Sequence, residues 1–413
     1  MAEQLSLSKN GEPALDQVLA RRIIHDVGGS GQPPVYGYDY FTAGIHPYLQ
    51  VIEEEYLKFL IPQGGSSFKL VLGNYGGGKT HFLYSVQGKA WKSNYITSYI
   101  QLKADSAPFH KLELVYKEIV GNLMYAQEPK SIFQGYDRGI EAVFKGWYYQ
   151  QREKFDNAVK EEHLQSAIEQ YIRSLGPFES KSFENAIKMA FLALYQNEED
   201  DFSLIIQWLR GENPSKTELK RFRIAEKIDK TNAFKMLRSV IQWINIMGYQ
   251  GVVVLMDEAE RKVSLSSKDK ETQLLNLREL IDACSGGIIQ KTLIFYAIPD
   301  DNFLQGKTGI YEALTDRVRS IFDSRLNPSG VRIDLANLEK ILKPVETLNE
   351  IGKKLASIYE VAYGIQFPVE EINTKISEVA EKAYADRFGD IGYKRLFVQN
   401  IINSFHELKS KMG

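Results

Sequence analysis

A glycine-rich segment at residues 73–80 constrains this chain more than any other feature of its sequence. The segment matches the pattern G-x-x-x-x-G-K-[ST] of a phosphate-binding loop, in which glycines let backbone N–H groups point at phosphate oxygens. In this motif the lysine reaches the terminal phosphates and the hydroxyl contacts Mg²⁺, so we expect these roles for Lys79 and Thr80. The residues that we expect to bind the cofactor are Gly73, Asn74, Tyr75, Gly76, Gly77, Gly78, Lys79, Thr80 and His81. The chain is therefore predicted to bind a nucleoside triphosphate.

The segments on either side of the loop have the properties that such a site requires. Residues 68–72 form a short apolar run that predicts a buried strand, and residues 80–87 predict the first turns of a helix. A helix that begins at the loop adds the positive end of its dipole to the anion site. The alternative, a chance glycine-rich turn, is disfavoured because Lys79 and Thr80 both stand between a strand and a helix.

The overall composition narrows the class of partner. Of the 413 residues 44% are hydrophobic, and the net charge of −2 means that nucleic-acid or lipid binding would need a local patch. The single cysteine, Cys284, excludes an internal disulfide and is expected to be a buried small hydrophobe. The N-terminus lacks a secretory signal, and the apolar stretches are interrupted well short of a membrane span. We expect a cytoplasmic protein.

Apolar runs alternate with helical patterns along the chain. Further strands are predicted at 95–102, 251–256, 291–298 and 331–335. This alternation predicts the α/β class, with a parallel sheet covered by helices. Helices are predicted at 13–27, 45–60, 346–363, 369–385 and 391–411, whereas residues 109–248 show helical patterning without a convincing strand.

These patterns predict a nucleotide core that is interrupted by a large helical insertion. The expected parts are N-terminal helices and the first part of the core at 1–108, the insertion at 109–248, the second part of the core at 249–335 and a helical segment at 336–413.

A second part of the nucleotide site is predicted where the strand at 251–256 ends. Asp257 follows this apolar run, and the carboxyl ends of parallel strands are where α/β sheets bind ligands. An acid at this position holds Mg²⁺ in phosphate-loop enzymes, and Glu258 after it is a candidate to polarise the attacking water. The alternative is a strand that ends in a solvated acidic loop.

Several segments together resemble a known family. They are residues 68–83, 110–119, 208–212 and 248–260. With them the chain resembles the AAA+ superfamily close to the origin-recognition type initiator ATPases, and more specifically the ATP-binding proteins of BREX-type phage-defence systems. The resemblance implies an AAA+-like core with a C-terminal helical lid at 336–413. It also implies an ATPase that acts as a nucleotide-driven switch or loader in a DNA-associated defence complex, with helicase- or methylase-class partners and a possible homo-oligomer.

The resemblance also implies roles for individual residues. Lys79 and Thr80 would contact phosphate and Mg²⁺, Asp257 would hold Mg²⁺, and Glu258 would be the catalytic carboxylate. Arg395, at the start of the last predicted helix, would be the second-sensor arginine. Either Arg317 or Arg319 would be the finger that one subunit supplies to the next. For all three arginines, a surface position on an amphipathic helix is the alternative.

The fourth strand departs from the AAA+ pattern. Its last residue is Ile298, where a polar first-sensor residue is usual, and Asp300 in the next turn is a candidate substitute. A second hypothesis is therefore a nucleotide-locked interaction module with little or no hydrolysis. A third hypothesis is a small-molecule kinase with the same loop, which the Asp257–Glu258 pair and the helical C-terminal segment disfavour.

Two weaker patterns lie in the insertion. Lys216, Lys220, Arg223 and Lys227 would share one face of a helix and could contact DNA phosphates, although a solvated face is the more common outcome. An aromatic cluster could stack on bases but is more often part of a core. Its members are Phe144, Trp147, Tyr148 and Tyr149.

Overall fold

The computed structural model describes residues 15–103, 107–127, 137–257, 266–299, 309–335, 337–338, 343–387 and 392–412. The chain forms two compact units, each assembled from separate stretches of sequence. The first unit comprises Met1–Gln50, Val71–Val86 and Ile333–Gly413, and the second comprises Val51–Leu70 and Gln87–Arg332.

Six strands in the described part of the chain form one sheet. They are β1 (Ser66–Leu72), β2 (Ile96–Gln101), β3 (Leu123–Met124), β4 (Val252–Asp257), β5 (Thr292–Ile298) and β6 (Arg332–Asp334). Their spatial order is β3-β2-β4-β5-β1-β6. Strands β2 and β4 are parallel, with Ile96 opposite Val252, and β4 and β5 are parallel, with Val252 opposite Thr292. The predicted α/β class is confirmed.

Burial explains why the central strands are so apolar. Every residue of β4 and of β5 is buried, as expected for parallel strands that are covered on both faces. The prediction of no strand between 109 and 248 is wrong at one place, because β3 pairs antiparallel with β2, with Thr97 opposite Met124. Two residues are too short to show the alternation by which strands are recognised in a sequence.

Helices make up most of the remaining described chain. The α-helices are α1 (Gln17–Ser30), α2 (His46–Val51), α3 (Lys79–Lys92), α4 (Leu112–Gly121), α5 (Ile140–Ala158), α6 (Glu161–Ser174), α7 (Lys181–Gln196), α8 (Glu199–Leu209), α9 (Lys216–Lys220), α10 (Ala233–Ile246), α11 (Ser267–Ser285), α12 (Gly309–Val318), α13 (Pro344–Tyr363), α14 (Val369–Ala385) and α15 (Tyr393–Met412). A 3₁₀ helix spans Tyr38–Phe41. The helix predicted at 45–60 is α-helical only through α2 and continues as a π-helix at Ile52–Leu60.

The first unit has a hydrophobic core that α1 shares with α13, α14 and α15. Ile23 of α1 and Leu355, Tyr359 and Phe397 of the C-terminal helices are all fully buried in this core. Hydrogen bonds support the same packing, since Arg21 Nε donates to the Ala362 carbonyl at 2.8 Å. The N-terminal helix therefore belongs to the same bundle as the helices at the other end of the chain.

The second unit contains the aromatic cluster that the sequence singled out. Phe144, Trp147 and Tyr148 are buried, and the Phe144 and Trp243 rings stack with centroids 5.5 Å apart. Tyr149 is 62% exposed. The interpretation of the cluster as core is thus confirmed for its first three members.

Cys284 is also buried, and burial raises the pKa of its thiol to about 12.

The predicted stripe of four cations on one helix is wrong. Helix α9 ends at Lys220, and Arg223 has a left-handed backbone with φ +57°. The chain turns there and buries the Ile224 side chain. The Ile224 amide donates to the Leu219 carbonyl at 3.3 Å. Lys216 and Lys227 therefore do not lie on one helical face.

In the part of the chain that the structure describes, none of the helices is long and apolar enough to cross a membrane.

Candidate nucleotide-binding site

The phosphate loop leaves the end of β1 and has backbone angles that favour glycine. Gly76 and Gly78 have φ values of +71° and +94°, in the left-handed region where side chains cause strain. Between them the Gly77 amide donates to the Asn74 carbonyl at 2.9 Å and closes the turn. A Cβ atom on Gly77 would lie 2.9 Å from the same carbonyl oxygen. The glycines are thus required by this turn.

Lys79 begins α3 and folds its side chain back over the loop. The residue is only 7% exposed, and its Nζ donates to the Gly73 carbonyl at 2.7 Å and lies 3.4 Å from the Asn74 carbonyl. The loop thus combines a tight glycine turn, a buried cation and the N-terminus of a 14-residue helix. Backbone N–H groups at a helix N-terminus, together with a cation, are what a phosphate group needs, so these residues fit a nucleotide.

His81, expected among the cofactor-binding residues, faces the 3₁₀ helix. Its Nε2 lies 2.8 Å from the Thr42 hydroxyl, and its ring centroid is 5.2 Å from that of Phe41. Burial, with a smaller contribution from the positive charge of Lys394, lowers the pKa of His81 to about 3. The imidazole is therefore neutral at physiological pH and ties α3 to the N-terminal segment.

The first turn of α15 lies directly against the loop. A Cβ atom on Gly76 would be 2.7 Å from the Gly392 Cα, so the two backbones approach as closely as glycines allow. Arg395 Nη1 donates to the Tyr75 hydroxyl at 3.3 Å, and its Cζ is 5.1 Å from the centre of the Tyr75 ring. The structure thus brings the predicted second-sensor arginine to the loop, where it stacks on Tyr75.

A second cation, which the sequence reasoning missed, comes from the same turn. Lys394 Nζ donates to the Gly77 carbonyl at 3.2 Å. In the sequence, Lys394 could have been noticed because it directly precedes Arg395 at the start of the last predicted helix. Two positive side chains of α15 therefore contact the loop at different points.

Asp257 is the last residue of β4 and is 1% exposed. The Tyr99 hydroxyl, on the neighbouring strand β2, donates to its Oδ2 at 2.9 Å, and the Asp257 carbonyl accepts from the Leu102 amide at 2.8 Å. The carboxylate is therefore held in one orientation. Glu258 lies outside the described residues. The sequence alone does not point to Tyr99, because its contact with Asp257 depends on the register in which β2 pairs with β4.

The two candidate finger arginines have different environments. The Arg317 guanidinium donates to both carboxylate oxygens of Asp282, at 2.5 and 3.0 Å, and to the Ala313 carbonyl at 2.7 Å. The hydrogen bond from Arg317 lowers the pKa of the Asp282 carboxyl. The Arg319 side chain is 75% exposed and lies 3.6 Å from Asp316. Arg317 is thus held by several hydrogen bonds within the chain, whereas Arg319 makes a longer contact with a neighbouring acid at the surface.

The position at which the resemblance implies a first sensor holds an apolar side chain. Ile298 is the last residue of β5 and is fully buried. Asp300, the candidate substitute, lies outside the described residues. The side chain at the end of β5 therefore offers no hydrogen bond to a nucleotide.

Comparison with known proteins gives one match. A family model described as "BREX system ATP-binding protein BrxC/D" matches residues 18–412, which is nearly the whole chain. Comparison with curated proteins and with solved structures gives no match.

Proposed function

Since this match shows that the chain belongs to the family of BREX system ATP-binding proteins, we propose that it hydrolyses ATP and acts as a nucleotide-driven switch or loader in a DNA-associated phage-defence complex. Membership of this family supports ATP binding and a role in BREX defence. The observation that supports the finer proposal is the contact of α15 with the phosphate loop, because a helix that touches this loop can respond to the nucleotide.

The proposed cofactor is ATP with Mg²⁺. The Thr80 hydroxyl and the Asp257 carboxylate are oxygen ligands of the type that Mg²⁺ prefers. When bound, Mg²⁺ neutralises charge that develops on the phosphate oxygens. The buried, hydrogen-bonded carboxylate of Asp257 supports this assignment, and Glu258 is proposed to accept a proton from the attacking water.

The helices after residue 335 are proposed to be the lid, with Arg395 reporting the γ-phosphate to it. The helical insertion at 109–248 is proposed to engage partners, which would be defence proteins of the helicase or methylase class, or DNA. If the protein assembles into a homo-oligomer, Arg319 is the better candidate for the finger, because Arg317 is engaged by Asp282. A location in the cytoplasm is part of the same proposal.

One observation favours a second candidate function, a nucleotide-locked interaction module. Ile298 is fully buried and apolar at the first-sensor position. A site without that polar contact would bind ATP but stabilise the transition state less.

Phosphate release by purified protein separates the two functions. We would measure it for the unmodified protein, Lys79→Ala and Glu258→Gln, each with and without duplex DNA. Hydrolysis predicts turnover above the Lys79→Ala level, and a Glu258→Gln variant that binds ATP but turns over at least about a hundredfold more slowly. Turnover equal to that of Lys79→Ala, with tight ATP binding retained, would instead support the locked module.

A further inference from the structure

The two adjacent cations of α15 contact different parts of the phosphate loop. Arg395 lies over the ring of Tyr75, a side chain that is 61% exposed. Lys394 Nζ lies 3.2 Å from the Gly77 carbonyl oxygen and 3.7 Å from where a Cβ atom of Gly78 would be. Of the two, Lys394 is the residue that contacts the glycine turn itself.

We propose that Lys394 is a phosphate-binding residue of the nucleotide site, supplied by α15 and acting on the phosphates that the loop backbone holds. This inference rests on the proposed function and deepens it. The Gly77–Gly78 peptide belongs to the stretch whose N–H groups cradle the α- and β-phosphates in this motif. The Gly77 carbonyl and the Gly78 N–H point to opposite sides of that peptide, so Lys394 contacts a phosphate when its flexible side chain turns from the carbonyl to a phosphate oxygen on the other side.

The backbone approach of α15 to the loop explains how Lys394 reaches this point. A Cβ atom on Gly392 would lie 2.5 Å from the Tyr75 carbonyl oxygen and 2.6 Å from the Gly76 Cα. Only a glycine at 392 therefore allows the first turn of α15 to come this near. The nearby positive charge of Lys394 also contributes, after burial, to the low pKa of His81, as expected for a cation beside the start of α3.

The proposal predicts a specific pattern of nucleotide affinity. Lys394→Met should weaken binding of ADP and of ATP by about the same factor, roughly ten- to a hundredfold, because it removes one charge-assisted contact to phosphates that both nucleotides carry. Lys79 reaches the β- and γ-phosphates, so Lys79→Ala should weaken ATP binding more than ADP binding. Lys394→Arg should restore most of the affinity, because the charge is kept.

The experiment is a titration with fluorescent ADP and ATP analogues, in EDTA to prevent turnover. Lys409→Met is the matched control, because Lys409 lies in the last turn of α15 with its Nζ 4.1 Å from the centre of the Tyr363 ring. Its affinities should equal those of the unmodified protein. Circular dichroism and melting temperature show whether Lys394→Met is folded, and Lys394→Gln is a second variant if it is not.

The outcomes separate this inference from the proposed function. If Lys394→Met and Lys394→Gln bind ADP and ATP as tightly as the unmodified protein, while Lys79→Ala binds ATP more weakly, Lys394 is not a phosphate ligand and the ATP site stands. If the unmodified protein binds neither nucleotide, in EDTA or with Mg²⁺ present, both proposals fail. Equal losses for both nucleotides in Lys394→Met, with rescue by arginine, support the inference.

Discussion

A buried lysine in β1 makes the stability of the second unit depend on pH in a predictable direction. Lys69 is fully buried, and its Nζ donates to the Tyr56 hydroxyl and to the Gly330 carbonyl, both at 2.5 Å. The ammonium also lies 4.2 Å from the centre of the Tyr56 ring and 5.1 Å from that of Phe322. Both acceptors are uncharged, since burial raises the pKa of Tyr56 to about 12.

Burial lowers the pKa of Lys69 from 10.5 to about 7. The folded state therefore binds fewer protons than the unfolded state between about pH 7 and pH 10.5, and the free energy of unfolding rises with pH in this window. At about 1.4 kcal/mol per pH unit, the rise between pH 6 and pH 9 amounts to about 3 kcal/mol. Below pH 7 lysine is charged in both states, and the full cost of burying the ammonium is present.

The assay compares the unmodified protein with Lys69→Met in urea at several pH values. Tryptophan fluorescence is a suitable signal because Trp91, Trp147, Trp208 and Trp243 are buried and all belong to the second unit. The unfolding free energy of the unmodified protein, minus that of the variant, should rise by about 3 kcal/mol from pH 6 to pH 9. Lys154→Met, at an exposed position on α5, is the control and should give a constant difference. A constant difference for Lys69→Met as well would refute the assigned pKa.

Three further predictions follow from other contacts. Gly392→Val should weaken binding of both ADP and ATP, because its side chain would meet the Tyr75–Gly76 backbone; unchanged affinity in a titration would contradict the close packing. Arg317→Ala should lower the melting temperature slightly, since a partly exposed ion pair contributes about 1 kcal/mol or less. Arg319→Ala should leave the melting temperature unchanged, and it should reduce phosphate release only at concentrations where the protein assembles. Cys284 should react with a thiol reagent at neutral pH only after urea is added, because it is buried and its pKa is raised to about 12; rapid labelling of folded protein would show that α11 opens.

Local patterns were sufficient to predict the elements of the core. The run before the phosphate loop predicted β1, and the apolar stretches at 251–256 and 291–298 predicted β4 and β5, because strands buried on both faces have continuous apolar sequences. The four cations of the insertion show where such patterns fail. Their helical spacing is a local property, whereas the position at which α9 ends depends on the burial of Ile224.

The sequence by itself determined the motif, the fold class and the family, because each depends on residue types at short, fixed spacings. Only the tertiary structure decided that α1 packs with α13–α15, that Gly392 meets Gly76, and that Arg395 rests on Tyr75 while Lys394 reaches Gly77. These contacts join residues more than 300 positions apart, as the separation of 317 between Lys394 and Gly77 shows. The spacing of apolar residues along the sequence does not predict such a pairing, because the pairing arises when the chain buries its apolar faces against partners that are distant in sequence.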